Sequence, residues 1–172
     1  MTFGERAVAS FTVYGQLRDA SVDTDFAPIF QQLQFEWSCS MGMLAALAGI
    51  NAAVFAVGGD SIFGVEVNPA MGMMVAISSI ASGTGLACSA WYLFRYSSTD
   101  VNAFRARALD VYSSYLFFSL SSRVPGFCML ISAASIMIFL FTVAYGRWPG
   151  GVLIFCGLVG MLMTLQFLVY GI

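Results

Sequence analysis

Acid–base chemistry in this chain would rest on few groups: Glu36, Asp110 and the arginines Arg95, Arg105, Arg107 and Arg123. Their spacing makes no acid, base and nucleophile constellation. Convergence of these groups on one pocket would be the sign of a lipid-modifying enzyme. The sequence contains no histidine, which removes most zinc sites, Ser-His-Asp triads and histidine-dependent acyl transfer. No Gly-x-Ser-x-Gly elbow and no Walker A sequence occurs. Ser82-Gly83-Thr84-Gly85 is glycine-rich, but it lies inside an apolar run and no lysine follows it. Asp19, Asp23 and Asp25 form an acidic cluster. It reads as a solvated turn, because a hard cation needs more oxygen ligands in a defined loop. No catalytic residue, metal or cofactor is expected, and the chain is read as a non-enzyme.

Cys39, Cys88, Cys128 and Cys156 include no Cys-x-x-Cys pair. They read as small apolar residues. Acylation of the juxtamembrane Cys39 is the alternative. A disulfide framework is not indicated. Within the apolar runs the polar residues are Asn51, several serines and threonines, and Gln166. Hydrogen bonding between helices accounts for them. A solute pathway normally uses an intramembrane Asp, Glu, Arg or His, and none is present. In the alternative, a transporter or channel subunit, Asn51, Ser78, Ser82, Ser132 and Ser135 would line a polar path after oligomerisation.

The elements that must carry these residues are membrane spans. Hydrophobic residues make up 59% of the 172 and charged residues only 9%, against about a quarter charged in a soluble domain. Four stretches, residues 39–58, 69–94, 126–145 and 152–170, carry no ionisable side chain apart from cysteine and tyrosine. Each reaches the roughly 20 residues needed to cross about 30 Å of hydrocarbon, and each can satisfy its backbone there only as a helix. Residues 1–38 read as a polar arm with a short pre-membrane helix, and residues 39–172 as the membrane domain. No secretory-signal pattern stands near Met1, so insertion through the first span is expected.

All seven basic residues are arginine. Arg6 and Arg18 precede the first span, Arg95, Arg105, Arg107 and Arg123 fall between the second and third, and Arg147 falls between the third and fourth. That distribution places both termini in the cytoplasm. Trp37, Trp91, Tyr92 and Tyr170 would mark the inner interface, with Tyr145 and Trp148 at the outer one. A net charge of −2 and the lack of a basic run argue against a nucleic-acid partner.

In the arm, Asp25 reads as a helix N-cap with Pro28 in the first turn. Phe26, Ile29, Phe30, Leu33 and Trp37 then form an apolar stripe at helical spacing. Residues 100–123 read as a second amphipathic helix, capped by Thr99 or Asp100. Val101, Phe104, Ala108, Val111, Tyr112, Tyr115 and Phe118 gather on one side, and Arg107, Asp110, Ser113 and Ser114 on the other. Lying flat at the inner surface, it would bring Arg95, Arg105, Arg107 and Arg123 to anionic lipid. The alternative is a cytoplasmic helix packed on the bundle. Glu36 can pair with Arg95 or Arg123 at the same depth. Within the spans, Ala45, Gly49 and Ala53, then Ser79, Gly83 and Ala87, then Cys156, Gly160 and Thr164 recur four apart. Such stripes let helices approach closely.

The segments Glu36–Leu44, Arg105–Tyr112 and Met163–Phe167 are similar to uncharacterised multi-span membrane proteins of fungi, basidiomycetes in particular. The resemblance extends over most of residues 26–172 and implies no activity, so no functional residue is carried over. The chain lacks the Cys-Cys-Gly of tetraspanins and the outer-loop Trp…Cys…Cys of claudins. The expected fold is therefore all-α: a four-span transmembrane bundle with an N-terminal polar arm and an interfacial amphipathic helix. The expected role is that of a membrane-embedded interaction or scaffold protein. Its partners would be membrane lipids, further copies of the chain or other membrane proteins.

Overall fold

The structure, a computed structural model, describes residues 12–20, 23–57, 61–62, 65–66, 69–109 and 114–170. In chain order these form α1 (Tyr14–Asp19), α2 (Asp23–Val57), β1 (Ser61–Ile62), β2 (Val65–Glu66), α3 (Pro69–Tyr96), α4 (Val101–Ala108), α5 (Leu116–Ser121), α6 (Val124–Arg147) and α7 (Pro149–Tyr170). The chain is an all-α, multi-span bundle. Three helical stretches are apolar and long enough to cross a membrane: Phe26–Val57, Pro69–Tyr96 and Leu116–Arg147. Helix α7 runs over Pro149–Tyr170 and is apolar along Pro149–Leu165.

Helix ends follow local chemistry. Proline opens α3 and α7 and stands at the start of α6, where its missing N–H would have no helical partner. Asp100 caps α4, its carboxylate accepting from the Val101 N–H at 2.8 Å, which decides between the two expected caps. Helix α2 starts at Asp23, two residues before the expected cap at Asp25, so Pro28 is its sixth residue and lies in the second turn, not the first. Trp148 alone separates α6 from α7. The hairpin β1–β2 pairs Ser61 with Glu66 and Ile62 with Val65.

Helix α3 is central and packs along α6 and α2. Its inward face is Val75, Ser78, Ser82, Gly85, Ser89 and Tyr96. Around Val75 lies an apolar cluster with Ile136, Phe139 and Val143. At the other end of α3, Tyr96 enters a larger cluster with Val13, Leu17, Phe26, Phe30, Leu33, Trp37, Phe104 and Phe118. Helix α2 reaches both clusters because it is 35 residues long, about 52 Å at 1.5 Å per residue. That exceeds the roughly 30 Å of hydrocarbon, and the first turns of α2 carry the aromatic core with α1, α4 and α5.

The structure corrects the expectation of one amphipathic helix over residues 100–123. Two short helices stand there, α4 and α5, with Leu109 in extended backbone after the first. Phe104 and Phe118 are 5.5 Å apart, ring to ring. In one straight helix, fourteen residues of rise would separate them by about 21 Å. Folding back lets both rings meet Tyr96, at 5.7 and 5.9 Å. The apolar side is thus buried in protein rather than laid on lipid, for Phe104, Ala108 and Phe118 alike. Asp110, Val111, Tyr112 and Ser113 lie outside the described residues.

Candidate functional site

The arginine-bearing end of the bundle is built on stacked aromatic rings. Trp37 of α2 stacks on Tyr92 and Tyr96 of α3, at 5.0 and 5.7 Å. Its indole N–H donates to the Ser122 carbonyl at 3.1 Å. Phe30 meets Phe104 at 4.6 Å, and Gln34 donates to the Tyr96 carbonyl at 3.2 Å. Each contact ties α2 to a segment at least 55 residues later. Trp37 is 1% exposed, so it is a core residue and not part of an interfacial belt. Trp91, Tyr145 and Trp148 are exposed, as belt residues would be, while the Tyr170 side chain lies outside the described ones.

This core positions the arginines in three places. Arg123, just before α6, forms an ion pair with Glu36 of α2. The second carboxylate oxygen of Glu36 accepts from Gln32 at 2.9 Å. Arg123 was therefore the partner of the two that the sequence allowed. A cavity of about 320 Å³ opens beside the pair, lined by Trp37, Cys39, Met43 and Met129 among others. Arg95 and Arg107 line a second cavity, of about 280 Å³, with Trp91, Tyr96, Phe117 and Ser121. Arg107 donates to the Arg95 carbonyl at 3.3 Å and to the Thr99 hydroxyl at 3.0 Å. Arg105 sits over the Phe26 ring, 5.5 Å from its centroid, a cation–π contact. Glu36 and the four arginines thus do not converge on one pocket, and Asp110 is outside the described residues. Among the described residues no group of three or more His, Cys, Asp or Glu could hold a metal ion.

The polar residues of the spans come together in a buried seam. Ser78 and Ser132 each donate a hydroxyl to the other's carbonyl at 3.0 Å. Asn51 donates its amide to Ser82 at 3.3 Å, and Ser82 donates to the Ser79 carbonyl at 3.1 Å. Ser135 is buried alongside. The Asn51 amide oxygen and the Ser89 hydroxyl are buried with no partner. Five residues read as a possible polar path are therefore interior, and two pairs of them are joined by interhelical hydrogen bonds.

The expected packing stripes lie elsewhere. Ala45, Gly49, Ala53, Gly83, Ala87, Cys156, Gly160 and Thr164 are exposed within the single chain, and Ser79 is half-buried. Contacts inside the bundle use the neighbouring face instead. The small residue that matters there is Gly85, which the sequence reading passed over. A Cβ on it would stand 2.7 Å from the Cys128 Cβ and 2.9 Å from Leu44 Cδ1. At Gly49, Gly83 and Gly160 a Cβ meets nothing within 4 Å. Cys39 and Cys156 are exposed, and Cys88 and Cys128 are half-buried. Phe104 and Phe118 of the core were legible as one face of a helix, but the partner they share, Tyr96, carried no signal in that pattern. No protein-family model, curated protein or solved structure matches the chain.

Proposed function

We propose that this chain is a non-enzymatic, four-span membrane protein that acts by assembling with other membrane helices. The observation that carries the reading is α7. From Pro149 to Leu165 every side chain but Val152 is exposed within the single chain, and α7 touches the rest chiefly through α6. A fourth span attached along so little of its surface leaves its Cys156, Gly160 and Thr164 stripe open to a neighbouring helix. The outward stripe on α2 adds a further face of the same kind. Small residues suit them to helix contact, since between helices in lipid the attraction is dispersion at close approach.

On this reading both termini face the cytoplasm. The arginines at the aromatic end meet the anionic inner leaflet, which attracts basic residues by about 1 kcal/mol each. Arg147, at the far end of α6, marks the opposite side. Crosslinking in native membranes followed by mass measurement of the solubilised protein tests the proposal. A discrete oligomer or a defined partner supports it, and a strictly monomeric, partnerless species sinks it.

The second reading, a subunit of a transporter or channel, draws on the buried Asn51 amide oxygen and Ser89 hydroxyl that lack partners. Buried polar atoms without partners mark functional or hydrated sites often enough to justify a flux assay in proteoliposomes. Absence of flux over a broad solute panel would remove it.

A further inference from the structure

The cavity between the end of α3, α4 and α5 combines a cationic part with aromatic walls. Its polar part is cationic: Arg95 and Arg107 both line it, and its lining as described contains no carboxylate. Among the described residues Arg107 donates to neutral acceptors, the Arg95 carbonyl and the Thr99 hydroxyl, which leave its charge uncancelled. Its other walls are aromatic and open. Trp91 and Phe117 line the cavity while remaining 61% and 68% exposed.

Those walls continue into the bilayer. Arg95 stands one turn beyond Trp91 on α3, and Ala87, Thr84 and Ile80 recur below Trp91 on the same helix face. All three are exposed, Ile80 at 71%, and none is charged. An apolar lane therefore runs along α3 and ends at two guanidinium groups, at the end of the apolar span. The volume, about 280 Å³, lies near the lower limit for ligand pockets, so it suits a headgroup rather than a whole lipid.

We propose that this cavity binds the phosphate headgroup of an anionic phospholipid, whose acyl chain lies along Trp91, Ala87, Thr84 and Ile80. Guanidinium groups match phosphate oxygens in charge and in the geometry of their paired N–H donors. A free phosphate or nucleotide would use the arginines but not the apolar lane. The inference rests on the membrane-embedded reading above and deepens its lipid contact from a general surface attraction to a site.

The test uses the full chain reconstituted with phosphatidylcholine, with dioleoyl phosphatidic acid added as the probe. Native mass spectrometry should show one retained phosphatidic acid per chain, in preference to phosphatidylcholine. Arg95→Gln and Arg107→Gln should each weaken retention about fivefold, and Arg147→Gln, at the other end, should leave it unchanged. Inorganic phosphate or glycerophosphate at millimolar concentration should fail to displace the lipid. Equal loss in all three variants, or retention untouched by Arg95→Gln and Arg107→Gln, overturns the site while leaving general electrostatic attraction in place. Displacement by inorganic phosphate overturns the lipid as occupant. Release of the wild-type chain by alkaline carbonate would instead defeat the membrane reading itself.

A second measurement needs no arginine variant. Phosphatidic acid brominated on its acyl chain should quench tryptophan fluorescence more than brominated phosphatidylcholine does. The excess should vanish in Trp91→Phe. No excess in the wild type, or an excess that survives Trp91→Phe, overturns the proposed lane.

Discussion

Ser78 and Ser132 sit opposite each other on α3 and α6, and each hydroxyl donates to the other's backbone carbonyl at 3.0 Å. Each hydroxyl has one proton, so this exchange satisfies both donors without water. The short side chains also let the two helix backbones come close enough for it to happen. Removing either hydroxyl should cost about 0.6 kcal/mol, and at most about 1.7 kcal/mol, the range measured for hydrogen bonds between helices in lipid. A double-mutant cycle of Ser78→Ala and Ser132→Ala, read by unfolding in bicelles, should show positive coupling. Strictly additive losses would mean the pair does not interact.

Gly85 and Gly83 offer a paired comparison two residues apart. Gly85→Ala places a methyl 2.7 Å from the Cys128 Cβ and 2.9 Å from Leu44 Cδ1. Two backbones must then separate, at a cost of about 1–3 kcal/mol typical of overpacking. Gly83→Ala meets nothing within 4 Å, so intramolecular stability should not fall and can rise by up to about 1 kcal/mol through helix propensity. If Gly83→Ala instead alters the oligomer distribution, that face is a contact between chains. Thermal denaturation and size measurement of both variants decide the matter, and equal stability of the two would contradict the observed α3–α6 crossing.

Glu36 and Arg123 are each a little over a quarter exposed, so solvent screens their attraction in part. Glu36→Gln or Arg123→Gln alone should destabilise by about 1 kcal/mol, more than a fully exposed pair and less than a fully buried one. The double variant should recover part of the loss, because no charge is then left unpaired. Chemical denaturation at low and high salt should show the coupling shrinking as salt rises. A double variant worse than the sum of the singles would be incompatible with the pairing.

Trp37→Phe keeps most of the ring stack on Tyr92 and Tyr96 but loses the donor to Ser122, a loss of about 1 kcal/mol. Trp37→Ala removes the stack as well and should cost about 3–5 kcal/mol. Because the ring ties α2 to α3 and to the start of α6, near-ultraviolet circular dichroism should weaken in the alanine variant. Comparable stability of the two variants would show the ring to be peripheral.

Much of the molecule could be read from residue order alone. Expected spans at 69–94 and 126–145 became helices over residues 69–96 and 124–147, because hydropathy marks where the solvent changes from water to oil. The stripe from Phe26 to Trp37 is buried as its spacing indicated. The depth of Glu36 in the sequence restricts its ion-pair partner to Arg95 or Arg123, and it pairs with Arg123. The break at Leu109 was not legible. It exists because Phe104 and Phe118 both pack on Tyr96, and a ring shared across the chain leaves no mark on local periodicity.

The spacing of small residues did not identify the faces that meet within the single chain, for a different reason. In water, an apolar face tells which way a helix points, since burial lowers its free energy. In lipid the outward face is as apolar as the inward one, so hydropathy carries no direction. Gly83 and Gly85 are identical as letters in an apolar run. One opens onto the surroundings and the other lets Cys128 and Leu44 come within contact distance. Residue order alone determined which segments leave water and roughly where each crosses into oil, because that preference belongs to each side chain separately. Only the tertiary structure decided which faces meet, which serines pair and where the arginines gather, because those depend on complementary shape and on hydrogen-bond partners far apart in the chain.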